Sequence, residues 1–288
     1  MHFYVMQGLN GLALGALLFI LSAGFSLIFG LMRVANLSHG AYFMLGAYVG
    51  LTCIDRGYGF WAGVLAGGAT VALLGGLVER LILRRLAGRP LQQVLVTLGI
   101  AFIIADACIW LWTGDPRPVP SGFEGVFRFQ GFVFPKYRLF VVAVACALGL
   151  ALWLLMERTR LGAMIRAGVD DMDMARAMGI RTSVLFTVVF CLGAALAGAG
   201  GVLAGPILSV YPGLDSDMLP LALALVVVVV ILGGVGSLGG AFVGSFIIGF
   251  IYSYGQALLP DLAYVILFLP MVLVLTLRPR GLMGRRTV

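Results

Sequence analysis

Charge is the scarcest property of this sequence. Only 11% of its 288 residues are Asp, Glu, Lys or Arg, against 61% hydrophobic and a mean hydropathy of +1.09. A soluble domain draws about a quarter of its residues from the charged set, so a water-covered globule is excluded. Lysine is reduced to Lys136, and the other eighteen basic residues are Arg. No G-x-x-x-x-G-K-[ST] phosphate loop is present, so the chain cannot by itself bind ATP in the usual way. The cysteines, Cys53, Cys108, Cys146 and Cys191, fall inside apolar runs without ligand spacing, and neither a zinc site nor a disulfide framework is indicated. Paired active-site carboxylates and Cys/His clusters are missing too. The net charge of +7 does not indicate a nucleic-acid partner, because the Arg residues lie in short clusters between apolar runs.

Long hydrophobic runs are what the chain has. They fall near 8–30, 35–53, 61–78, 91–112, 139–156, 184–205, 219–232, 241–258 and 263–277. A bilayer core of ~30 Å needs ~20 apolar residues per helix. An all-α polytopic membrane protein follows, with eight to ten transmembrane helices in a single domain over 1–288. The first run lacks a basic leader and is too long for a signal-peptide core, so it is expected to remain as a span. Arg80, Arg84, Arg85 and Arg89 mark one loop, Arg158, Arg160, Arg166, Arg176 and Arg181 a second, and Arg278, Arg280, Arg285 and Arg286 the tail. The positive-inside rule makes all three cytoplasmic; the span count puts the N-terminus outside, and one further break in the first 55 residues would reverse it. The loop 113–138 then lies outside; its VFRFQGFVFP alternation around Gly131 reads as a β-hairpin, serving either as a lid or docking surface or as a cap over helix ends.

The stretch 157–181 is the longest that does not belong in a bilayer. Asp170 reads as the N-cap of a helix over 171–178, Asp173 completes a capping-box-like arrangement, and Gly179 ends the helix with a positive φ. Its apolar residues, Met172, Met174, Ala175, Ala177 and Met178, suit a surface that docks in a groove, and suit an ordinary solvated helix as well. Two interruptions break the apolar runs: RVANLSHGAY from Arg33 and GGVGSLGGAF from Gly233. Both end in Gly-Ala-aromatic, a weak echo between two halves. Unwound backbone at membrane depth is tolerated where it lines a cavity or is buried, which makes Asn36, Ser38, His39, Gly40, Gly233, Gly234, Gly236, Ser237, Gly239 and Gly240 candidates for a substrate pathway. Plain turns at the cytoplasmic face fit the same residues. His39 is read as structural first, since no further metal ligands accompany it. Asp106 is the one carboxylate well inside an expected span. Gly193, Ala197, Gly201 and Gly205 recur every four residues and predict a helix that another backbone approaches closely.

With these residues in view, the chain resembles the Liv-type branched-chain amino acid ABC transporter permeases, and within them the shorter, H-type subunit. The likeness is carried by the run from Gly8 through NLSHGAY to Gly50, the loop within AGVDDMDMARAMGI, the VVVVVILGGVGSLGGAFVGSFIIG run and the LRPRGLMG tail. It implies an importer permease of type II (vitamin B12/ribose permease-like) architecture with two weakly repeated halves. It implies that 157–181 is the cytoplasmic coupling loop, with Asp170, Asp173, Ala175, Arg176 and Gly179 in the segment that meets the ATP-binding subunit. The implied partners are a second homologous permease subunit, two ATP-binding cassette subunits that hold the ATP, an extracytoplasmic substrate-binding protein and membrane lipid, in a bacterial cytoplasmic membrane. No cofactor of the chain's own and no nucleic acid are expected. Branched-chain amino acids are the default cargo, with urea or short amides as the alternative within the family. An ion-coupled secondary transporter is the rival from another class, for which Asp106 alone speaks, and a non-transporting scaffold is a second.

Overall fold

The computed structural model describes residues 2–33, 35–123, 125–129, 132–211, 222–234, 236–278 and 281–283. Among them are eleven α-helices and one two-stranded sheet: α1 (His2–Met32), α2 (His39–Asp55), α3 (Phe60–Leu81), α4 (Pro90–Trp112), β1 (Val126–Phe129), β2 (Phe132–Pro135), α5 (Lys136–Arg158), α6 (Arg160–Asp170), α7 (Met172–Ala177), α8 (Thr182–Leu208), α9 (Ala222–Gly233), α10 (Leu238–Leu258) and α11 (Ala263–Leu277). Helices dominate because a chain in hydrocarbon must satisfy its backbone hydrogen bonds within each segment. The protein is a polytopic all-α membrane protein. Among the described residues, six helical stretches are long and apolar enough to cross a bilayer: Phe3–Met32, Phe60–Leu86, Pro90–Trp112, Lys136–Arg158, Thr182–Leu208 and Leu238–Leu258. The other three expected spans are shorter helices, α2 with 17 residues, α9 with 12 and α11 with 15. At 1.5 Å per residue the described part of each is shorter than ~30 Å. The first of them, α2, is almost wholly buried, so protein rather than lipid surrounds it.

Glycine-mediated crossings hold the bundle together. A Cβ added to Gly193 of α8 would meet the Gly24 carbonyl oxygen of α1 at 2.6 Å, so the two long helices touch backbone to backbone. The remaining stripe positions continue the seam: Ala197 is buried, Gly201 faces the Phe43 carbonyl of α2, and Gly205 faces Val119 of the outer loop. The packing is reciprocal between the halves. Helix α2, which starts with Gly40-Ala41-Tyr42, lies on α8, where Tyr42 meets Phe190 edge-on at 6.3 Å. Helix α10, with Gly240-Ala241-Phe242 in its first turn, lies on α1, where Phe242 meets Phe19 edge-on at 4.9 Å. The echo in sequence is thus an echo in packing.

Helix order places 82–89, 159–181 and Arg278 at one end and 56–59, 113–123, 125–129, 132–135 and the start of α1 at the other. Tyr254 near the C-terminal end of α10 donates to the Tyr4 carbonyl, which puts the start of α1 at the end opposite the Arg-rich loops. The expected hairpin is present, with β1 and β2 antiparallel and Phe127 opposite Phe134; its turn at Gln130 and Gly131 lies outside the described residues, as do Arg280, Arg285 and Arg286 of the tail. The loop before it is fastened down: Arg117 and Val210 exchange two backbone hydrogen bonds of 2.8 Å, and Val119 is buried. That much of the outer loop serves as a cap over the end of α8.

Candidate functional site

The polar stretch between α5 and α8 folds as two short helices. Thr159 caps α6, accepting from Gly162 N–H at 3.1 Å. Asp171, not Asp170, caps α7: its Oδ1 accepts from the amides of Asp173 and Met174, each at 3.0 Å. Asp170 instead closes α6, because α6 runs to the very residue before the cap. The helix end is as expected, with Gly179 at φ +85°. Asp173 ion-pairs with Arg176 at 3.3 Å on the surface, and Arg176 Nε also donates to Thr182 Oγ1 at 3.3 Å, tying α7 to the first turn of α8.

The faces of α7 differ sharply. Ala175 is 3% exposed and turned toward its own chain, while Met174 and Met178 are 60% and 78% exposed. The small residue seats the helix, and two flexible thioether side chains are left facing outward.

On the first turns of α8, which Arg176 reaches through Thr182, lies a charged node that composition does not reveal. Glu79, near the inner end of α3, has no exposed surface. Its Oε2 accepts from Thr187 Oγ1 of α8 at 2.6 Å and pairs with Arg84 Nη2 at 3.2 Å; the same Arg84 nitrogen donates to Thr187 Oγ1 at 2.6 Å and to the Ser183 carbonyl at 2.9 Å. Helix α3 runs past the expected span 61–78 and takes in Glu79 near its end, more deeply buried than Asp106. Asp106 lies on the exposed face of α4. The signal that marked Glu79 was a lone acid among four loop arginines.

The two breaks are built differently. At the first, Asn36 Oδ1 accepts from Ser38 N–H at 3.1 Å and from Ser38 Oγ–H at 2.6 Å, and Thr97 of α4 accepts from Leu37 N–H at 3.2 Å. His39 Nε2 donates to the Leu21 carbonyl at 3.0 Å, which leaves Nδ1 as an acceptor. Leu21 lies about three turns before the end of α1, so this break is inside the bundle and not at its face. Asn36, Ser38, His39 and Gly40 are all buried, and Asn36 Nδ2, His39 Nδ1 and Ser26 Oγ find no partner among the described residues. Buried polar atoms without partners cost about 1–3 kcal/mol each, so this locus is suited to water or a polar guest.

The second break is nearer the inner face. Gly234 and Gly236 have φ of +103° and +74°, and Ser237 Oγ accepts from Gly240 N–H at 3.0 Å to start α10. Gly236 lies against Gly30, close to the end of α1, and the backbones of Gly233 and Gly240 are in contact. Gly239 faces Met283 of the tail, whose Leu282 and Met283 amides donate to the carbonyls of Leu232 and Gly233 at 2.8 and 3.0 Å. The tail therefore closes over this break. Both breaks reach α6: Arg33 Nη2 donates to the Val169 carbonyl at 3.4 Å, and Val169 lies beside Gly236.

A cavity of about 500 Å³ opens at the opposite end, lined by α1, α8, α10, the first turn of α5 and Phe43 of α2. None of the ten pathway candidates named from the sequence is among its described lining residues. Its charged member, Arg138, gave no signal, sitting beside Lys136 where a loop meets an apolar run.

The sequence matches the family described as branched-chain amino acid transport system / permease component over residues 8–275. It is 27% identical to the high-affinity branched-chain amino acid transport system permease protein BraD of Pseudomonas aeruginosa over 100% of this chain and 98% of the relative. It is 26% identical to the corresponding LivH protein of Escherichia coli over 99% of this chain and 97% of the relative. A probable branched-chain amino acid transport permease protein LivH of Methanocaldococcus jannaschii is 27% identical over 81% of this chain and 75% of its own length. No solved structure matches the chain.

Proposed function

The chain belongs to the family of branched-chain amino acid transport permease components, and from that premise we propose that it is the membrane-spanning subunit of an ATP-driven importer in a bacterial cytoplasmic membrane, passing branched-chain amino acids inward. The observation that carries the mechanism is α7, a capped helix at the Arg-rich end with Met174 and Met178 exposed and Ala175 turned inward. In this reading, the two Met side chains enter a groove of an ATP-binding cassette subunit. The chain has no ATPase site of its own, and two such partners hold the nucleotide. Motion imposed on α7 is relayed along two connections: Arg176 to Thr182 at the start of α8, and α8 through Thr187 to Glu79 of α3. Val169 at the end of α6 touches both broken segments, so a shift of the coupling loop bears directly on the residues proposed to flank the path. A second permease subunit completes the membrane unit, and a soluble binding protein outside delivers the cargo.

Purification of the detergent-solubilised chain from its native membrane tests this, with ATPase measured with and without leucine-loaded binding protein. Recovery of two cassette subunits and a second permease, with activity raised by the loaded binding protein, is the expected result. Recovery of the chain alone, with uptake that follows a proton or sodium gradient, would overturn the proposal.

A further inference from the structure

We infer that the outward cavity is a binding site for a zwitterionic amino acid with an aliphatic side chain, its carboxylate held by Arg138. The inference rests on the import reading above and specifies which side chains of this subunit meet the cargo.

The cavity is two-sided in chemistry. Its rim carries Gln7, Asn10, Arg138, Ser253 and Gln256, and its floor carries Leu14, Leu17, Leu18, Leu21 and Phe43. At about 500 Å³ it is within the ~300–1,000 Å³ range of small-molecule sites. Arg138 stands in the first turn of α5, half-buried, with Nη1 donating to Asn10 Oδ1. Among the described residues no carboxylate lies within ion-pair distance of it. A guanidinium presents five N–H donors in a planar fork, and a partly dehydrated one favours a carboxylate bound side-on. The amide oxygens of the rim and the Ser253 hydroxyl, whose oxygen is 2.9 Å from both the main-chain and side-chain oxygens of Gln7, offer acceptors for an ammonium. Leu17, Leu18 and Leu21 are buried beneath them and give an aliphatic side chain an apolar seat.

The same arrangement discriminates. No Asp or Glu is among the described lining residues, so a cationic amino acid would bring a second positive charge beside Arg138. Urea and short amides carry no carboxylate for the guanidinium to hold, and urea has no alkyl group for the floor. The cavity floor at Leu21 is also where His39 hydrogen-bonds, which brings the buried polar atoms of the first break next below it.

The test uses the chain in its native complex with Ala257→Cys, a small change on the cavity wall. Modification by a small maleimide is followed by mass spectrometry at position 257, with the same protein fully labelled after unfolding in detergent as the reference for complete reaction. Leucine at twice its dissociation constant slows the reaction about threefold by mass action. Leucinamide, which lacks the carboxylate, and urea leave the rate unchanged. Arg138→Gln abolishes the protection and Arg138→Lys restores part of it. An unchanged rate with saturating leucine, equal protection by leucinamide, or full protection in Arg138→Gln would each overturn the site. A complex that imports leucine yet shows no protection refutes this inference alone; a complex that imports no amino acid refutes the import reading beneath it.

Discussion

Arg84→Met isolates the ion pair whose acid is the most buried among the described residues. Glu79 has a side chain only 1% exposed, and its charge is balanced by Arg84, itself 37% exposed, with Thr187 as the one other hydrogen-bond partner among the described residues. Removing one member of a buried pair costs about 3–5 kcal/mol, because a carboxylate stays behind without its counter-charge. Arg84 is partly solvated, and the lost guanidinium also gives up its bonds to Thr187 and the Ser183 carbonyl, so we expect about 3 kcal/mol at the inner junction of α3 and α8. Glu79→Leu combined with Arg84→Met removes both charges. The double variant should recover much of that loss, because a buried ion pair replaced by apolar side chains of similar volume is often neutral or stabilising. The assay is equilibrium unfolding in mixed micelles for the wild type, both single variants and the double. Coupling of about 1–3 kcal/mol between the two sites is the expected signature. Wild-type stability for Arg84→Met, or strictly additive losses in the double, would refute the claim that the pair locks α3 to α8.

Three further outcomes follow from the geometry. Gly201→Leu should cost about 3 kcal/mol or more and broaden gel-filtration profiles, because its Cβ collides with the Phe43 backbone; Gly99→Leu, in open space on α4, should elute as the wild type does. Gly179 has φ +85° with nothing within reach of a Cβ, so Gly179→Val should weaken the end of α7 by about 1–2 kcal/mol from backbone strain, with Gly179→Asn milder; amide hydrogen exchange over 172–181 reads the difference, and transport by Gly179→Trp reads its consequence for coupling. Met174→Asp with Met178→Asp changes two exposed positions, so stability should stay within about 0.5 kcal/mol while the ATPase activity of the reconstituted complex ceases to support uptake; unimpaired uptake would remove α7 from the coupling role.

Much of this protein was legible from its sequence. Hydropathy is a sum of single-residue transfer free energies, so the apolar runs located the nine apolar helices found among the described residues, and the Arg clusters grouped their ends without reference to any contact. The hairpin, the positive φ of Gly179 and the close seam along Gly193, Ala197, Gly201 and Gly205 are likewise local, set by alternation, backbone freedom and a four-residue period. Even the N-cap of α7 was misread by only one residue, because Asp170 and Asp171 are chemically identical candidates and the preceding helix decided between them.

What the tertiary structure decided depends on residues far apart in the chain. Glu79 meets Thr187 across 108 positions and Arg138 meets Asn10 across 128, and no spacing rule joins such pairs. Whether a break lies at depth or at the face depends on which helix it packs against: the first reaches Leu21 and the second reaches Gly30, a difference of register along α1 that neither segment encodes alone. The inward turn of Ala175 and the two-sided cavity have the same origin. Composition sets which segments enter the membrane, whereas side-chain partnership arises only when packed helices fix the distances between them.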